Sequence, residues 1–110
     1  MLKNTNIGQL LEEFTQKMTI TINNWRNGND QQGLQNFTQG MQILENILKF
    51  YPNEQKNDPI ILSELRFLLE KLLVYLQNKD LIGITDTIEF ELLPLLTKWK
   101  KEVEIDGEKR

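Results

Sequence analysis

Residues 60–76 read Ile-Ile-Leu-Ser-Glu-Leu-Arg-Phe-Leu-Leu-Glu-Lys-Leu-Leu-Val-Tyr-Leu, the most apolar segment of the chain. Leu62, Leu65, Leu69, Leu72 and Leu76 alternate in steps of three and four, which aligns them as one seam along a helix. Asp58-Pro59 just before it is a helix-start signal. Asp accepts a bond from a free N–H of the first turn, and Pro at the first helical position needs no donor. The spacing predicts a helix over 60–77 whose Leu seam is the core that every other segment packs against.

Toward the N-terminus, Ile7, Leu11, Phe14, Met18, Ile22 and Trp25 recur at helical spacing with polar residues between them, an amphipathic helix over 7–25. Asn27-Gly28 is a stop, because Gly accepts the left-handed conformation that ends helices. Asn29-Asp30 then caps a second helix carrying Leu34, Phe37, Met41, Leu44, Leu48 and Tyr51. A connection this short makes the two helices antiparallel. Gly33 and Gly40 fall on one flank of the second helix and read as points of close packing. Tyr51 to Asp58 reads as the longest loop.

Toward the C-terminus, Asn78-Lys79-Asp80 is another tight turn with Asp80 as cap, and Leu81, Ile84, Ile88, Leu92, Leu95 and Trp99 line a fourth helix. Pro94 lies inside it and predicts a kink that frees the Phe90 carbonyl. The two hairpins resemble each other at an offset of 50, pairing Trp25 with Tyr75, Asp30 with Asp80 and Gly33 with Gly83. Either a duplicated hairpin or the shared demands of two tight turns accounts for that. The expected fold is all-α, an antiparallel up-down-up-down four-helix bundle built from two helical hairpins. It occupies residues 1–101, with 102–110 as a charged, flexible tail.

Composition narrows the function classes. A chain of 110 residues, 39% apolar and 26% charged, holds one domain with an ordinary core. Its net charge of −3 comes from 16 acids and 13 bases, and the bases form no stripe of the kind nucleic acid requires. Lys98, Lys100 and Lys101 are the one basic concentration, and they read as cations at the negative end of the last helix. The chain has no Cys and no His, which removes disulfides, thiolate chemistry, imidazole catalysis and the usual zinc sites. The opening Met-Leu-Lys-Asn-Thr-Asn lacks the continuous apolar stretch of a signal peptide, and no segment approaches the ~20 apolar residues of a membrane span. The expectation is a cytoplasmic protein with no nucleic-acid or membrane partner.

No motif for catalysis emerges either. A di-metal bundle needs inward carboxylates with Glu-x-x-His pairs, but there is no His, and Glu64, Glu70, Glu89 and Glu91 lie off the Leu seams. Glu45 alone falls near the core-facing side of its helix. Ser63 is the only serine and has no base beside it. The chain is expected to be no enzyme and to need no cofactor or metal.

A second apolar stripe departs from the bundle pattern. Ile60, Phe67 and Val74 recur every seven residues on helix three, roughly 200° around from the Leu seam at the period of an ideal helix. Ile82, Phe90 and Leu93 fall on the outer side of helix four, and Ile43 and Phe50 are displaced in the same way on helix two. These positions face either a wide core or an exposed surface rimmed by Glu70, Lys71, Asp86 and Glu89. The six residues on helices three and four are the candidate partner-binding site. Its occupant is a partner protein or a second copy in a homodimer.

Two resemblances rest on the C-terminal half. Leu76-Gln-Asn-Lys-Asp80, followed by Asp86-Thr-Ile-Glu-Phe-Glu-Leu-Leu-Pro-Leu-Leu-Thr-Lys-Trp99, resembles a family of small helical proteins from Firmicutes with no assigned activity. That resemblance implies a helical bundle. The size, acidity, four-helix layout and Leu-Leu-x-x-Trp ending are similar to flagellar export chaperones of the FliS kind. Those bind the helical end of a client in hydrophobic grooves, which implies an export chaperone for an amphipathic client helix. No binding residue is carried over from it, because the tyrosine-rich opening of those chaperones is absent here and Pro94 interrupts the last helix.

Overall fold

Asn29 and Asp80 each stand at the exit of a tight turn between antiparallel helices. The computed structural model describes residues 6–54 and 59–109, with side chains described over 7–49 and 62–102. Helix α1 runs Asn6–Arg26, α2 Asp30–Glu54, α3 Pro59–Gln77, α4 Leu81–Thr87 and α5 Leu93–Lys109. A π-helical turn, Ile88–Leu92, joins α4 to α5, so these three pieces form one continuous fourth helix. The result is an all-α four-helix bundle made of two hairpins, 45 Å long and 25 by 20 Å across.

Both turns solve the same backbone problem. The amide of Asn29 donates to Asn24 O at 2.8 Å, and that of Asp80 to Tyr75 O at 2.8 Å, so each closes the preceding helix with a wide C-terminal loop. Each needs a left-handed residue one position earlier, Gly28 at φ 84° and Lys79 at φ 56°. Lys pays a steric cost there that Gly avoids. Asp80 then caps α4, its Oδ1 accepting from the Gly83 amide at 2.9 Å.

The turns superpose at an offset of 51, Gly28 on Lys79, while the aromatic–glycine pairs keep the offset of 50. A Cβ at Gly33 would run into the Trp25 ring, and one at Gly83 would lie 2.7 Å from the Tyr75 ring. The two hairpins thus place a ring over a glycine in different registers relative to the turn. Asp30, the first residue of α2, is not the counterpart of the cap Asp80.

Glycine at 33 is set by this contact. Trp25 is buried, its Nε1 donates to Asp30 O at 3.1 Å, and its ring stacks obliquely on Phe37 at 5.7 Å, so it cannot move aside. At Gly40 an added Cβ meets chiefly the methyl end of Met18, which is flexible. Gly33→Ala should therefore destabilise by about 1–2 kcal/mol, overpacking outweighing the helix propensity gained. Gly40→Ala should be nearly neutral. Urea unfolding of both variants checks this, and equal costs would mean Trp25 is not held in place.

The core sits elsewhere than the apolar content of residues 60–76 suggests. The backbone of α1 lies against α2 on one side and the fourth helix on the other. Among the described residues, the backbone of α3 comes close to the fourth helix alone. The close backbone contacts thus form the chain α2–α1–fourth helix–α3, with α1 and the fourth helix as its two inner members. This corrects the expectation that everything packs against the Leu seam. The reason is distribution: α1 is polar but concentrates Leu11, Phe14 and Met18 on one fully buried face, whereas α3 spreads its apolar residues around its circumference. Leu65, Leu68 and Leu72 are buried, and Leu62, Leu69 and Leu76 are only partly covered.

Helix α2 also runs farther than expected. It continues through Pro52 to Glu54, where a loop from Tyr51 was expected. The remainder of that loop, residues 55–58, lies outside the described residues.

Instead of a simple kink at Pro94, the fourth helix widens before it. The Leu93 amide donates to Ile88 O, five residues back, so the ladder has slipped by one residue when the proline arrives. This slip also explains the spacing of the core residues. Ile84, Ile88, Leu92 and Leu96 lie four apart, and in an ideal helix each step would rotate the side chain by about 40° away from the core. The π turn cancels that drift, and all four residues are fully buried together with Trp99.

Candidate functional site

The outward stripe is where the structure and the sequence meet most directly. Phe67 (63% exposed) and Val74 (52%) on α3, with Ile82 (74%) and Phe90 (67%) on the fourth helix, are open to solvent. They do not belong to a wide core. Ile60 lies in α3, but its side chain lies outside the described residues, as does that of Phe50. Leu93 is half-buried and packs against the core, and so does Ile43.

Ion pairs fix how the two helices present this face. Lys71 on α3 reaches Glu91 of the π turn at 2.9 Å, and its ammonium stands 5.9 Å from the centre of the Phe67 ring. Phe67 therefore flanks the seam between α3 and the fourth helix, one residue's reach from the segment that carries Phe90. On the opposite flank, Arg26 at the end of α1 holds Glu89 at 2.7 Å and Asp86 at 3.2 Å. Of the expected rim, Lys71 is thus joined by Glu91, while Asp86 and Glu89 are committed to α1. Exposed pairs like these contribute only about 0–1 kcal/mol each, and their use is in orienting surfaces. Leu73, also exposed, was not singled out in the sequence. It lies about 100° around the helix from Val74, one ideal residue step, and so off the stripe.

The remaining candidates resolve into ordinary surface. Glu45 is exposed, not core-facing, and Ser63 is exposed. Among the described residues, no group of three or more Asp or Glu could hold a metal ion. Lys98, Lys100 and Lys101 are not at a helix end, because α5 runs on to Lys109. Lys100 instead pairs with Glu12 of α1 at 2.6 Å. The hydrogen bond and charge of Lys100 hold the Glu12 carboxyl below the usual carboxylate range. A depressed folded pKa means that this contribution is present above the ordinary carboxylate value and is lost as pH falls through the lowered one. An open depression along α2 and the turn before it, lined by Asp30, Gln31, Gln35, Gln39 and Gln42 among others, carries mostly amides and a single carboxylate.

A family model for a domain of unknown function, DUF8042, matches residues 5–102, from the start of α1 into α5. The chain belongs to the DUF8042 family. No curated protein and no solved structure matches it. As a DUF8042 domain it is a small all-helical unit, and among its described residues no helix is long and apolar enough to cross a membrane.

Proposed function

We propose that this DUF8042 domain is a non-enzymatic protein-interaction module of the cytoplasm, acting through the outer face of α3 and the fourth helix and needing no cofactor. The observation that carries the proposal is the pair Phe67 and Phe90, each about two-thirds exposed, on neighbouring helices with Val74 and Ile82. Large exposed apolar side chains grouped on one face and rimmed by charge have the make-up of an interface. A second reading, an export chaperone for an amphipathic client helix, is favoured by the same face lying along the seam of two helices, the setting in which helices dock.

The test is site-specific crosslinking. A photoreactive residue placed at Ile82 or Phe90 of the full chain, in the cells that make it, should form a covalent protein adduct. The same residue at Gln35, on the outer face of α2, should not. Absence of any adduct at 82 and 90 would overturn the proposal, and an adduct with a secreted protein would favour the chaperone reading.

A further inference from the structure

We infer that the occupant of this face is a second copy of the chain, bound with the two α3 helices antiparallel about a two-fold axis beside Phe67. The inference rests on the interaction reading above and names its partner. Three features of α3 point to it.

The first is the stripe itself. Phe67 and Val74 are seven residues apart and exposed, and a heptad repeat of outward apolar side chains is the pattern by which one helix lies along another. Phe67 is close to the midpoint of Pro59–Gln77. An axis there brings the two Phe67 rings together and overlaps the helices along nearly their full length.

The second is charge. Glu64 and Lys71 are also seven apart, on the flank of the stripe that faces the fourth helix, as the Lys71–Glu91 pair shows. Glu64 is exposed and in no ion pair with a described residue. An antiparallel two-fold between Phe67 and Leu68 sets Glu64 of each copy at the level of Lys71 in the other, giving two complementary pairs. A parallel two-fold pair would instead set this flank of each helix against the opposite flank of the other, so Glu64 and Lys71 would not meet. The face therefore pairs Glu64 with Lys71 of a second copy in the antiparallel orientation, and a self-matching patch is what an isologous dimer requires.

The third is size. Phe67, Val74, Ile82 and Phe90 together leave apolar surface on the order of 500 Å² open to water, from their exposures and the area such side chains carry. With a charged rim, this approaches the ~800 Å² per partner of a standard interface.

Sedimentation equilibrium on the full chain tests the inference. The wild type should be a dimer at micromolar concentration. Glu64→Lys and Lys71→Glu should each weaken the dimer at least about tenfold, since each turns both pairs into repulsions. Mixing the two variants should restore the dimer as a heterodimer, because added positive charges then meet added negative ones at both sites. No geometry other than the antiparallel one predicts that rescue. Because Lys71→Glu also faces Glu91, a milder set guards against misfolding. Glu64→Cys and Lys71→Cys, in a chain with no native cysteine, should crosslink on oxidation only when mixed. A wild type that stays monomeric at about 100 µM would overturn the inference, as would variants that dimerise as well as the wild type. A monomer whose position 90 still crosslinks to another protein overturns the dimer and leaves the interaction reading standing. No adduct of any kind overturns both.

Discussion

Phe14→Ala should lower the unfolding free energy by about 3–5 kcal/mol, the range for removing a large ring from a packed core. Phe14 is fully buried on α1 and lies against the Gly40 region of α2. Helix α1 is held between α2 and the fourth helix, with Lys100 pinned to Glu12 near one end and Arg26 to Asp86 and Glu89 at the other. A helix packed on both sides relaxes only partly around the vacated space, so the cavity term adds to the lost transfer energy. Urea unfolding should show a lower midpoint with an unchanged slope. A loss under ~1 kcal/mol, typical of surface sites, would show that α1 is not the middle of the bundle.

Leu72→Ala should cost about 2–5 kcal/mol, and Leu69→Ala clearly less. The seam treats these residues as equivalent, whereas the structure does not. Leu72 is 2% exposed, and Leu69 only borders the core. Leu69 stands at the edge of the buried face that carries Leu65, Leu68 and Leu72, so truncation there removes fewer neighbours. The same unfolding experiment applies, and the informative quantity is the difference between the two variants. Equal losses would place Leu69 as deep as Leu72.

The outward positions of Phe67, Val74 and Ile82 were legible because each lies within an unbroken α-helical stretch, where about 100° per residue holds, and Phe90, inside the π turn, precedes the end of the slip. Leu93 was not. An ideal period carries it to the outer side, but it follows the π turn, and the one-residue slip rotates it back toward the core. Leu96 is brought inward by the same slip. The signal was present in the four-residue spacing of Ile84, Ile88, Leu92 and Leu96, which drifts by about 120° along a straight α-helix. Glu45 and Lys100 show a different gap. A helical projection gives an angle around one axis, and neither the neighbour at that angle nor the cross-chain partner can be had from it.

The sequence by itself determined the four helices, their tight turns, the Asp80 cap and the two-hairpin topology, because these depend on backbone chemistry and on periodicity within a few residues. Gly28, Asp80 and the three-four spacing of apolar residues act locally, and local rules suffice to read them. Only the tertiary structure decided which helices form the middle, that Gly33 must stay bare beneath Trp25, and that Lys71 and Glu91 join α3 to the fourth helix. Those outcomes depend on which surfaces compete for burial, a comparison among segments far apart in the chain. Helix α3 is the most apolar segment, yet among the described residues its backbone closely approaches the fourth helix alone, because close packing favours the helix whose apolar residues are concentrated on one face over the helix that has more of them spread around its axis.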